Sequence, residues 1–196
     1  MIGEDPTRTP IHARDVQFRS YLRQDGLWDI EATLLDTKAY DQVAIERGAL
    51  LAGTPIHHMH IRLSIDDSFT VREVQVAMPA TPFGECQHTR APLDLLVGSC
   101  VGSGWRKIIQ EKMGGERGCT HLRELLAGMG TVAFQTVGRH RAHLRRQAGL
   151  PEPIQLTPRP PLGECLGWAF DGAPMQRYRP EFFGWRPPAA PVPSRD

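Results

Sequence analysis

Two stretches in the first half of the chain carry apolar residues at every second position. In "LWDIEATLLDT" (27–37), Trp28, Ile30, Ala32 and Leu34 share one face, and Asp29, Glu31 and Thr33 share the other. In "IHHMHIRLSID" (56–66), Met59, Ile61, Leu63 and Ile65 alternate with His58, His60 and Arg62. Side chains of a strand point alternately to its two faces, so both stretches predict strands covered on one side only. "RSYLR" (19–23) precedes the first strand across Gln24-Asp25-Gly26, whose Asp-Gly step favours a tight turn. "TVREVQVAM" (70–78) follows the second strand across Asp66-Asp67-Ser68. Two hairpins are predicted.

The period then changes to that of a helix. "APLDLLVG" (91–98) predicts a short helix. "SGWRKIIQEKMGG" (103–115) predicts a longer one, capped by Ser103 and ended by a glycine pair, with Trp105, Ile108, Ile109 and Met113 on one side. "CTHLRELLAGMGTVAFQTVGRHRAHLRRQ" (119–147) repeats apolar residues at Leu122, Leu125, Leu126, Met129, Val132 and Ala133. Gly128, Gly130 and Gly138 are expected to kink or shorten it. Strands first and helices afterwards predict an α+β fold, an antiparallel β-meander of about four strands followed by helices packed on one face. Residues 1–15 read as an extended tail, 16–185 as one domain, and 186–196 as a proline-rich tail.

Composition narrows the partners. The formal net charge is +1, which gives no global field for nucleic acid or an anionic membrane. No run of 18 apolar residues is present, so no spanning helix is expected. The opening "MIGEDPTRTP" lacks the basic and then apolar order of a signal peptide, which predicts a cytoplasmic protein. Four cysteines spread along the chain read as thiols or metal ligands rather than a disulfide framework.

Three groups of residues carry candidate chemistry. Cys119 sits at a helix start, where unpaired N–H groups and the helix dipole favour a thiolate, with His121 in the same turn. The alternative is a small buried thiol beside a Thr120 cap. Cys86 and Cys165 occupy matching Pro-x-Gly-Glu-Cys settings; with Cys119 and His121 they compose a three-sulfur, one-nitrogen set that suits tetrahedral zinc. His58 and His60, two apart on a strand beside Arg62, suit metal binding, proton transfer or a substrate anion, or else form a solvated sheet face. His57, on the apolar side, reads as a satisfied core residue, and Cys100 as core packing. "LVGSCVGSGWRK" (96–107) lacks the spacing of a nucleotide loop, so neither a nucleotide nor a flavin is expected. The Arg- and His-rich "GRHRAHLRRQ" (138–147) is a solvated helix end or a docking surface.

"R-x-D-G-L-W-D-I-E-A" (23–32), "D-T-K-x-Y-D" (36–41), "H-x-M-x-I-R-L-x-I-D-D" (57–67), "G-x-G-W-R" (102–106) and "G-C-T-H-L-x-E-L-L" (118–126) together resemble the bacterial domain-of-unknown-function family 2889 over most of residues 19–183. The resemblance implies that Cys86, Cys119, His121 and Cys165 stand in motif positions, and it points to small-molecule metabolism in bacteria that degrade aromatic compounds. The order hairpin, cysteine, helices, cysteine, helix is also similar in architecture to the iron–sulfur scaffold fold. The expectation is a small cytoplasmic lyase or hydrolase acting on a carboxylated or aromatic metabolite. Cys119, His121, His58, His60 and Arg62 are its catalytic candidates; Cys86, Cys119, His121 and Cys165 are its metal ligands, with zinc as the metal. The alternative is a non-enzymatic metal- or cluster-handling protein acting through a partner. A small-molecule substrate and a homodimer are expected, with no nucleic acid and no membrane.

Overall fold

The computed structural model describes residues 7–151, 153, 155–158 and 161–186. Residues 1–6 and 187–196 of the expected tails lie outside these residues, and residues 12–15 do not belong to a tail: they open the first strand. Among the described residues six strands form, β1 (His12–Leu22), β2 (Trp28–Lys38), β3 (Gln42–Ala44), β4 (Gly48–Leu50), β5 (Pro55–Ile65) and β6 (Val71–Ala80). The long ones build an antiparallel sheet in the order β1-β2-β5-β6. β3 and β4 make a separate two-stranded hairpin between β2 and β5, too short to show a period in sequence. Gly26, at φ +87°, closes the β1–β2 turn, where the amide of Arg23 donates to the carbonyl of Leu27 at 2.8 Å. A residue with a Cβ is strained in that left-handed conformation.

The helices that follow are α1 (Ala91–Asp94), α2 (Trp105–Met113) and α3 (Thr120–Gln147). The expected Ser103 cap does not form: the residue before α2 is Gly104, at φ +87° and without a side-chain bond. α3 runs unbroken through its three glycines. Two of them are close approaches, since a Cβ at Gly128 would lie 2.6 Å from the Phe18 ring and one at Gly130 2.8 Å from that of Trp105. Gly138 has nothing within 4 Å.

The predicted apolar faces meet in one core. Trp28, Ile30, Ala32 and Leu34 of β2, with Met59, Ile61, Leu63 and Ile65 of β5, pack against Trp105, Ile109 and Met113 of α2 and against Leu122, Leu125, Leu126, Met129, Ala133 and Val137 of α3. The Trp105 indole also donates to the carbonyl of Leu126 at 2.8 Å, tying α2 to α3. Each Leu, Ile, Val or Met side chain so removed from water contributes about 1.5–3 kcal/mol. Cys100, expected in the core, is exposed instead; its backbone bridges to Thr70 beside β6.

Residues 1–140 and 141–196 form two compact units. In the second, Leu162, Met175 and Phe182 form a small cluster with Trp168, Phe170 and Trp185, around α4 (Ala173–Tyr178). No helix of the described residues is long and apolar enough to cross a membrane.

Candidate functional site

The β1, β2 and β5 registers set Arg14 opposite Asp36 and Asp36 opposite His57. Directly opposed residues point to the same face, so this rung carries a cation, a carboxylate and an imidazole where the preceding rung of that face carries Val16, Leu34 and Met59. α3 begins over it and brings His121 across.

Asp36 is the centre. Its side chain is 3% exposed, and a carboxylate so buried requires partners. Arg14 donates from Nε at 2.7 Å and from Nη2 at 2.8 Å to the two carboxylate oxygens, a forked pair. His57 Nδ1 lies 2.9 Å from Oδ2, His12 Nε2 3.3 Å from Oδ1, and His121 Nε2 3.9 Å from Oδ2. The His57 and His121 rings stand 4.0 Å apart between centroids, tilted by 43°. On its other side, His121 Nδ1 lies 3.7 Å from Cys119 Sγ. The amide of Arg123 donates to the carbonyl of Cys119, so Cys119 occupies the cap position, outside the helix proper. That placement lets residues two apart meet, which a regular helix would forbid.

Burial opposes ionisation of Asp36, but the hydrogen bonds and charge of Arg14, joined by those of His57, outweigh it and bring its pKa to about 2. His57 goes below the ordinary histidine value because of burial, against the pull of Asp36. Burial, then the charges of His57 and Arg14, lower His121 as well. Near neutral pH the site therefore holds a carboxylate and two neutral imidazoles. A neutral imidazole takes up a proton or binds a metal; its protonated form does neither.

Among the described residues, one group of His, Cys, Asp and Glu has ligand atoms that all lie within 4.8 Å of one another, and it is Asp36, His57 and His121. The expected ligand set of Cys86, Cys119, His121 and Cys165 is not such a group. Cys86 lies in a 3-10 turn, Gly84–Arg90, after β6, and Cys165 is exposed in the second unit. Thr120, expected as a cap, is instead the first residue of α3.

The catalytic candidates divide between the two faces of the sheet. Cys119 and His121 come together on the helix side. His58, His60 and Arg62 point the other way, because the side-chain period of β5 is two. There His60 Nδ1 lies 3.2 Å from Thr33 Oγ1, its ring centroid is 4.5 Å from that of His58 with the planes tilted by 55°, and Arg62 lies 3.7 Å from Asp29. The sequence reading passed over Asp36, Arg14 and His12, and placed His57 in the core. The available signal was an acid and an imidazole on apolar faces, Asp36 continuing the stripe 28-30-32-34 and His57 beginning the stripe 57-59-61-63-65.

The model of a family described as proteins of unknown function, DUF2889, matches residues 12–135. The chain belongs to this family. The matched span starts earlier and ends sooner than the 19–183 read from the motifs; it contains the whole Asp36 cluster and leaves Cys165 outside. Three of the motif stretches, around Asp36, around His57 and around Cys119 and His121, meet at the Asp36 cluster. No curated protein and no solved structure matches the chain.

Proposed function

We propose that the chain is a thiol-dependent enzyme of hydrolase or lyase type that acts on a small carbonyl-bearing metabolite at the cluster of Cys119, His121, Asp36 and His57. The observation that carries this reading is the His121 ring, which has Cys119 Sγ 3.7 Å from Nδ1 and Asp36 Oδ2 3.9 Å from Nε2. A nucleophile, a base and a group that orients the base are the parts of nucleophilic catalysis, and their contacts are often loose before substrate binds. His121 Nδ1 takes the thiol proton as Cys119 Sγ bonds to the carbonyl carbon. The proton then passes to the leaving group, and water, deprotonated by the same imidazole, releases the acyl group from sulfur. Asp36 favours the tautomer with the proton on Nε2, which leaves Nδ1 free to act. Arg14 holds the carboxylate ionised, so its charge is available to the imidazolium that forms.

A second reading has one observation in its favour, the convergence of Asp36, His57 and His121 within 4.8 Å. Two neutral imidazoles and a carboxylate are a ligand set for a divalent metal. The forked bonds of Arg14 to both carboxylate oxygens oppose it, because a cation at Oδ2 would sit beside the guanidinium. One experiment separates the two. Untagged protein is analysed for metal and then mixed with p-nitrophenyl acetate while its intact mass is followed. The thiol reading expects no stoichiometric metal and an acetyl adduct on Cys119 that is absent from Cys119→Ser. Stoichiometric metal lost in Asp36→Ala, with no adduct on Cys119, would establish the metal reading instead.

A further inference from the structure

We infer that the free edge of β1 is the pairing surface for a second copy of this chain, joined about a two-fold axis at Gln17. β1 is an edge of the four-stranded sheet. It is 11 residues long and pairs with β2 in unbroken register. Exposed edges are ordinarily protected by short length, charged side chains, proline or a bulge; β1 is long, has no proline and no bulge, and carries charges of both signs, Arg14, Asp15 and Arg19. Its outer edge has no strand beside it among the described residues.

The phase of its free hydrogen-bonding groups follows from the ladder. The amide of Ala39 bonds the carbonyl of Ile11 at one end of the hairpin, and that of Arg23 bonds Leu27 at the other. Bonded and non-bonded pairs alternate in an antiparallel ladder, so the odd residues of β1 bond to β2. The even residues, 12 to 22, therefore direct their N–H and C=O groups away from the sheet. An antiparallel partner must pair even residues with even ones, which leaves few registers.

The side chains choose among them. With Gln17 opposite Gln17 of the partner subunit, Asp15 faces Arg19 of the partner subunit, and Arg19 faces Asp15 of the partner subunit. Among the described residues of one chain, neither Asp15 nor Arg19 has an ion pair or a side-chain hydrogen bond. Both stand at non-bonded pairs, where opposed side chains come closest. On the helix-side face, Val16, which is 45% exposed, meets Phe18 of the partner subunit, so that the apolar layer continues across the seam. Moving the centre to residue 16 or 18 leaves both charges unpaired, and moving it to 15 or 19 opposes like charges.

The same register places Leu22 of the partner subunit beside His12 and Ser20 of the partner subunit beside Arg14. The second copy thus closes the open flank of the Asp36 cluster. This inference stands on the strand edge and holds whichever chemistry that cluster performs.

The test is molar mass by light scattering and sedimentation from about 1 to 100 µM, on the full chain and on three variants with exposed substitutions. We expect a dimer for the natural chain. Arg19→Asp and Asp15→Arg each set two like-charge pairs in the seam and should weaken it about 10-fold or more. The double variant Asp15→Arg, Arg19→Asp restores both pairs and should restore the dimer, which also shows that the singles fail by charge rather than by misfolding. A natural chain that stays monomeric at 100 µM, a dimer indifferent to the single substitutions, or a double variant no better than the singles would overturn the inference.

Discussion

Replacing Asp36 by asparagine keeps the shape of the side chain and removes its charge, and the consequence should depend on pH in a defined way. The carboxyl titrates at 3.8 when unperturbed and at about 2 in the fold. A folded pKa below the unfolded one means that between these values the unfolded chain binds more protons. The resulting stability is fully present above pH 3.8 and is lost as pH falls through about 2. At roughly 1.4 kcal/mol per unit, the difference corresponds to about 2 kcal/mol at neutral pH. Unfolding free energies of the natural chain and Asp36→Asn, taken from urea titrations at one protein concentration from pH 7 to about pH 2, should therefore differ by about 2 kcal/mol down to pH 4, narrow below it and meet near the low end. A gap of constant size across the range would mean that Asp36 acts by packing. No gap at all would mean that its bonds to Arg14 and His57 do not form in solution.

Two further expectations come from the same geometry. His57 and His121 both titrate below the ordinary histidine value, so the unfolded chain again binds more protons. Stability should fall as pH drops from about 7 towards 5, and a His57→Gln, His121→Gln double variant should lose that slope in thermal melts; an unchanged slope would contradict the burial of the two rings. The glycines of α3 give a signed series by chemical denaturation. Gly138→Ala, with open space around it, should gain up to about 1 kcal/mol of helix propensity, whereas Gly128→Ala and Gly130→Ala should lose about 1–3 kcal/mol by pressing on Phe18 and Trp105. Equal effects at all three positions would count against those contacts.

The strands that build the core were legible because each has one covered face: the alternation in 27–37 and 56–66 sets both the strand and the face it presents. α3 was legible for the same reason at the helical period. The glycines within it misled, since propensity penalises them while packing against Phe18 and Trp105 requires them. The β3–β4 hairpin has three residues per strand and no period to read. The site divides in the same way. Cys119 and His121 are neighbours in sequence, so their approach was legible locally. Asp36 lies 85 positions before His121, and only the pairing of β2 with β5 and the crossing of α3 bring them together. His58, His60 and Arg62 were attractive because polar residues at alternating positions look like a site. Their alternation puts them on the face of the sheet opposite Asp36 and His57.

The central claim is that His121 activates Cys119, and the relative alkylation of the cysteines tests it most directly. Cys100 and Cys165 are exposed and Cys119 is half-buried, so access alone would make Cys119 slower than either. Limited treatment with iodoacetamide near pH 7, read by peptide mass spectrometry, should instead label Cys119 first. That lead should disappear in His121→Ala while Cys100 and Cys165 keep their rates. A labelling order that simply follows exposure, or a Cys119 rate unchanged by His121→Ala, would contradict the account.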